Sequence, residues 1–203
     1  MIYLIVAFDN EDDKLGIFFS RCAENVIKSI DEGWNCISID SRSLNDVHLK
    51  IRTGQFRGNF IFISFTHGSE STLSASGSRF LQSPVEPNYL ANSFSYCFAC
   101  KAGKILGREL VEKGTHTFMG YVAEVNFVVG YVDVFANCAV EGFLQFCNGS
   151  NIFESFILKK SKYTEEIDNV YKDNYLVASV LMDNRDCMVL YGKTEMQVND
   201  FIY

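Results

Sequence analysis

Residues 94–121, FSYCFACKAGKILGRELVEKGTHTFMGY, constrain the fold more than any other stretch of the chain. Residues 94–99 are an apolar and aromatic run, the pattern of a buried strand. Cys100 ends the run, and Lys101-Ala102-Gly103 loosens the chain. Ile105, Leu106, Leu110 and Val111 then fall on one side of a short helical period, opposite Lys104, Arg108, Glu109 and Glu112. Gly114 is placed to close that helix in a left-handed C-cap, which a residue without Cβ adopts freely. Residues 116–121 read as the next strand. Such a strand–helix–strand unit implies a parallel pair and puts a thiol at the carboxyl end of its first strand. Ligands and catalytic groups collect at that edge of parallel sheets.

The flanking sequence extends the same pattern. Residues 3–8 are a near-continuous apolar run, suited to a strand buried on both faces. The acidic turn Asp9-Asn10-Glu11-Asp12-Asp13 favours the start of a helix through its dipole. In that helix Leu15, Phe18, Phe19, Cys22, Val26, Ile27 and Ile30 form one stripe at three-and-four spacing, and Gly33 ends it. Residues 36–39 read as a second strand. Residues 43–51 are ambiguous, with a helix capped by Ser43 as one reading. Residues 59–65 (NFIFISF) are the third strand, followed at once by Thr66-His67-Gly68-Ser69. Residues 70–87 are rich in Ser and Gly and hold both prolines, so they read as loop or hairpin.

Beyond the central unit, residues 122–134 read as extended segments around Gly130, and residues 135–146 as a helix. Residues 152–171 give another helix or two, whose Lys159, Lys160 and Lys162 read as a solvated face. Residues 175–182 suggest a further helical turn or two, and residues 187–191 (CMVLY) a last strand. Strands alternating with amphipathic helices predict an α/β fold, a mostly parallel sheet with helices on both faces. No linker or repeat divides residues 1–203, so one domain is expected.

Composition narrows the function classes. The 203 residues are 48% hydrophobic with only 2 prolines, ample for a core and poor in linker material. A net charge of −7 argues against nucleic acid or an anionic membrane as partner, since both attract basic surfaces. No run approaches the roughly 20 apolar residues that span a bilayer. The opening MIYLIVAFDNEDD lacks a basic region and a small-residue cleavage site, so it reads as a strand rather than a secretion signal. The seven cysteines are an odd, scattered set. Cys22, Cys36, Cys138, Cys147 and Cys187 look like small buried hydrophobes in a reducing, cytoplasmic setting.

Two strands end in a reactive side chain, the third at His67 and the fourth at Cys100. If those strands are parallel neighbours, thiol and imidazole meet over one edge, the minimum for nucleophilic catalysis. A helix start after Cys100 would lower its thiol pKa. Gly68 allows backbone to approach a ligand closely, as an oxyanion-binding amide must. Each feature also has a bland reading, a solvated loop histidine and a packed cysteine. Cys97 and Cys100 form a Cys-x-x-Cys, but residues three apart on a strand lie about 10 Å apart on opposite faces, beyond disulfide reach. Zinc would need two further ligands with matching spacing, and His48 and His116 are isolated. No GxSxG elbow, GxGxxG or P-loop is present.

The pair FISFTHGSE and CFACKAG, followed by GRELVEKGTHTFMGY, resembles the caspase-like cysteine peptidases, the bacterial CHAT-type branch more than the apoptotic one. The matching elements are His67-Gly68, Ala99-Cys100 with Gly103, Leu106-Gly107 and residues 114–121. The resemblance implies a three-layer caspase-like fold with a mostly parallel six-stranded sheet, and an endopeptidase that needs no cofactor or metal. It makes His67 the general acid/base and Cys100 the nucleophile, with the amides of Gly68 and Cys100 as the oxyanion hole. Phe98 stands where the apoptotic branch has Gln, and no long acidic linker separates two halves. A protein or peptide substrate is implied, and an activating signal from a partner protein or a longer chain. Many bacterial relatives act in antiviral defence. The alternative is a catalytically inactive interaction module on the same fold.

For substrate binding, the carboxyl ends of the strands offer Asp9, Glu70, Tyr121 and Glu124. Three carboxylates with no cation would favour Arg or Lys at P1. With Asp9 no more than a helix-starting turn, Tyr121 and its aromatic neighbours would select Leu or another hydrophobe instead.

Overall fold

The computed structural model describes residues 1–202. In chain order the elements are β1 (Ile2–Phe8), α1 (Gly16–Lys28), β2 (Trp34–Ile39), α2 (Asp46–Thr53), β3 (Phe60–Phe65), β4 (His67–Gly68), β5 (Thr72–Ala75) and β6 (Ser78–Gln82). They continue with β7 (Ser93–Phe98), α3 (Leu106–Glu112), β8 (Thr117–Tyr121), α4 (Val132–Cys147), α5 (Ile152–Val170), α6 (Tyr175–Asp186), β9 (Met188–Gly192) and a 3-10 turn, Val198–Phe201. The main sheet runs β2-β1-β3-β7-β8-β9. Every pairing in it is parallel except β8 with β9. A second, antiparallel sheet, β4-β5-β6, holds the expected hairpin.

The near-continuous apolar strands follow from burial on both faces. Along β3, Ile61, Ile63 and Phe65 face one core with α1, α4, α5 and α6, while Phe60 and Phe62 face the other with α2, α3 and the hairpin. That alternation makes the protein a three-layer α/β fold. Gly114 has φ +104 just after α3, the left-handed position assigned to it from sequence. No helix among the described residues is long and apolar enough to cross a membrane.

Several local expectations need correction. Asn45, not Ser43, caps α2, its side chain accepting from the His48 amide. Ile27 is exposed, off the stripe that buries Phe18, Phe19, Cys22 and Val26. Residues 122–131 form no strand, and α4 already begins at Val132. Cys36 and Cys147 are only partly buried, unlike Cys22, Cys138 and Cys187. Lys159 is no part of a solvated face. It is 1% exposed, and burial pushes its amine down to about 7. Its nitrogen lies over the rings of Tyr96 at 4.3 Å and Tyr121 at 5.1 Å.

Candidate active site

The two central strands β3 and β7 pair in register, Phe65 opposite Phe98. Both chains then leave the sheet at the same level. Thr66 stays attached, its amide donating to the Phe98 carbonyl at 3.3 Å. His67 and Gly68 turn away as β4, pairing with Ser74 and Leu73 of the hairpin. On the neighbouring strand Ala99 and Cys100 are followed by Lys101 in a left-handed conformation, φ 57, which bends the chain sharply. The Lys101 amide donates to the Ala123 carbonyl at 2.9 Å and that of Gly103 to Tyr121 at 2.8 Å, so the bend is tied to the segment after β8.

Gly68 is packed against the backbone of residue 100. A Cβ there would come within 2.8 Å of the Cys100 carbonyl oxygen and 2.9 Å of the Ala99 Cβ, so only glycine fits. His67 and Cys100 line one cleft at the carboxyl edge of the sheet, as the strand ends suggested. Leu15, Phe18, Phe19, Thr66, Phe98 and Val125 to Phe127 complete its lining. Phe127 stacks on Phe18 with ring centres 4.8 Å apart. The cavity left is about 20 Å³, room for roughly one water molecule.

The His67 ring stands edge-on to Phe19 at 5.6 Å. Its Nε2 is 3.0 Å from Oδ2 of Asp12, while the other oxygen of that carboxylate accepts from the amides of Lys14 at 2.8 Å and Leu15 at 2.6 Å. Desolvation pushes the Asp12 carboxyl up, but those amides and His67 together outweigh it and hold it below the ordinary range. The Cys100 Sγ lies 3.5 Å from the Val125 amide and 3.7 Å from the Val125 carbonyl. The Cys100 amide makes no hydrogen bond among the described residues.

Cys97 and Cys100 do face opposite sides: Cys97 is buried in the core beside α2 and α3, Cys100 against the other. Burial raises the Cys97 thiol far above its ordinary value. Helix α3 starts only at Leu106, six positions past Cys100, so Cys100 is not the residue that opens that helix as the sequence suggested. No group of three metal-ligating side chains clusters among the described residues.

No protein-family model matches the chain, and no curated protein matches it in sequence.

None of the four residues assigned to substrate binding lines this cleft. Asp9 is fully buried, and its carboxylate accepts from the Ser41 hydroxyl and from the amide and hydroxyl of Ser76. It ties the ends of β1 and β2 to the hairpin and has no face for a ligand. Tyr121 is also fully buried, its hydroxyl 3.3 Å from that of Tyr163. Glu70 and Glu124 are exposed enough to meet a ligand, but each is paired, with Lys104 and Lys101 respectively. The expectation of carboxylates without a cation therefore fails. Asp12, which holds His67, and Val125 to Phe127, which line the cleft, escaped the sequence reading. Asp12 stood in the acidic turn three residues before Leu15, and its cap-like spacing was the one available signal.

Proposed function

We propose that the chain is a cysteine endopeptidase of the caspase-like type, with Cys100 as nucleophile and His67 as general acid/base. One observation carries the reading: residues delivered by two different parallel strands, a thiol and an imidazole, line a single cleft at the carboxyl edge. The motif order on which the resemblance rests agrees with that placement. The thiol proton passes to the imidazole as Sγ bonds to the scissile carbonyl carbon, whose π electrons move onto oxygen. The unengaged Cys100 amide, packed on Gly68, is a donor available to that oxyanion. His67 then protonates the leaving amine as the C–N bond breaks, giving a thioester. Water attacks the thioester, yields its proton to His67, and releases the carboxylic acid and the thiol.

The apolar walls favour a hydrophobic P1 side chain over a charged one. A cavity of about 20 Å³ admits no side chain, so the cleft has to widen before a peptide binds, and the irregular segment Val125 to Phe127 is the part of its lining assigned that shift. An activating partner would act there. An effector role in antiviral defence rests on the resemblance alone. The narrowness of the cleft is also the observation that favours the second reading, a silent interaction module on the same fold.

A peptidyl acyloxymethyl ketone, whose carboxylate is displaced by a thiolate, separates the two. The peptidase reading expects one adduct, mapped by mass spectrometry to Cys100 and strongly slowed in His67→Ala. Labelling spread evenly over Cys36, Cys100 and Cys147, or absent, would leave the silent module.

A further inference from the structure

The His67 ring is held from its outer side by a residue the dyad does not need for protons. We propose that Asp12 is a positioning residue, fixing the ring so that Nδ1 is the nitrogen presented to the Cys100 thiol. This inference rests on the dyad assignment above. Asp12 precedes α1 with its side chain fixed at both oxygens: one by the amides of Lys14 and Leu15, the other 3.0 Å from His67 Nε2. An ionised carboxylate only accepts hydrogen bonds, so Nε2 carries the proton and donates it. The neutral imidazole then has its lone pair on Nδ1, which has no partner among the described residues. When the thiol proton arrives at Nδ1, the ring becomes a cation 3.0 Å from a fixed negative charge. The carboxylate stabilises that state, by an amount that solvent reduces because both side chains are partly exposed.

The charges around the pair are few. Asp12 faces the ring from the turn before α1, and Cys100 shares its cleft. The cation nearest in sequence to Cys100 is Lys101, which is engaged by Glu124. The other cleft residues are uncharged. A carboxylate of this kind acts through His67 and touches no substrate atom.

The bland explanation is that Asp12 only caps the start of α1. Asp12→Asn separates the two. Asparagine keeps an oxygen for the Lys14 and Leu15 amides, but sets an N–H against Nε2 and so forces the proton to Nδ1, the wrong tautomer. The readout is alkylation of Cys100 by iodoacetamide across pH, followed site by site by mass spectrometry on the whole chain. Sγ bonds to the methylene carbon, iodide leaves, and the thiol proton stays on the imidazole. Asp12→Asn is expected to move the half-maximal point upward by about one pH unit or more, slowing alkylation at pH 6 about tenfold. Asp12→Glu should restore most of the loss. Nitrogen-15 shifts of the His67 ring should report a protonated Nε2 in the wild type and a protonated Nδ1 in Asp12→Asn.

A profile for Asp12→Asn that superposes on the wild type, while His67→Ala differs, would reduce Asp12 to a cap and leave the dyad standing. A His67→Ala profile that also superposes would remove the dyad and this role with it. Should Asp12→Asn fail to fold, the wild-type ring shifts decide, since a neutral ring protonated at Nδ1 contradicts the proposal.

Discussion

Lys159 sits in the core against the faces of Tyr96 and Tyr121, with no ion pair to a carboxylate among the described residues. Aromatic faces compensate a buried cation only in part, and desolvation accordingly takes its amine down to about 7. Between that value and the ordinary lysine range, the unfolded chain holds a proton that the folded chain has released. Stability attributable to this residue therefore rises with pH from about 7 to about 10.5. Lys159→Met should be more stable than the wild type at pH 7 and below, by on the order of a few kcal/mol. The margin should shrink steadily toward pH 10.5. Urea denaturation of the two proteins at several pH values measures it, and a margin that grows with pH would contradict the assignment. The cysteines give a second contrast. Cys97→Ser should destabilise by about 1–3 kcal/mol, placing a hydroxyl in an apolar core, yet keep any peptide turnover. Cys100→Ala should cost little stability and abolish turnover, and the reverse pattern would move the nucleophile to Cys97.

At the scale of elements, the cleft depends on segments that no periodicity describes. Residues 122–131 are irregular, and Asn184 of α6, 1% exposed, holds them from beneath. Its Nδ2 donates to the Asn126 carbonyl at 2.7 Å and its Oδ1 accepts from the Asn126 amide at 3.0 Å. Asn184→Ala strands both backbone groups at a cost of about 1–3 kcal/mol. Amide hydrogen exchange should accelerate in residues 122–131 while the central strands stay protected. Uniform acceleration over the whole sheet would show that the segment is not a separate unit. Gly68→Ala drives a methyl into the Cys100 carbonyl and the Ala99 Cβ, an overpacking cost of about 1–3 kcal/mol. Because it separates β4 from the turn after β7, it should also slow alkylation of Cys100, and an unchanged rate would show the contact to be slack.

Across the whole molecule, legibility followed burial. Strands β1, β3, β7 and β8 announced themselves because a parallel sheet covered on both faces needs continuous apolar runs. The two reactive strand ends were readable for the same reason, since parallel neighbours end at one edge. What stayed hidden was set by tertiary contacts. Residues 122–131 owe their path to Asn184 and to Phe18, neither of which lies near in sequence. Asp12 disappeared into a run of acidic residues whose members differ only in what they face. Lys159 was legible by spacing, for Ile152, Ser155, Lys159, Tyr163 and Ile167 form one buried stripe, but its charge argued the other way. The substrate residues failed because a strand-end position does not reveal whether a side chain points to the core, as Tyr121 does, or to a cation, as Glu124 does. The proposal of a peptidase is tested most directly by a peptide-library cleavage profile of the wild type beside Cys100→Ala. The account predicts cleavage after hydrophobic residues, wholly lost in the variant. Cleavage that survives in Cys100→Ala, or that follows aspartate, would contradict it.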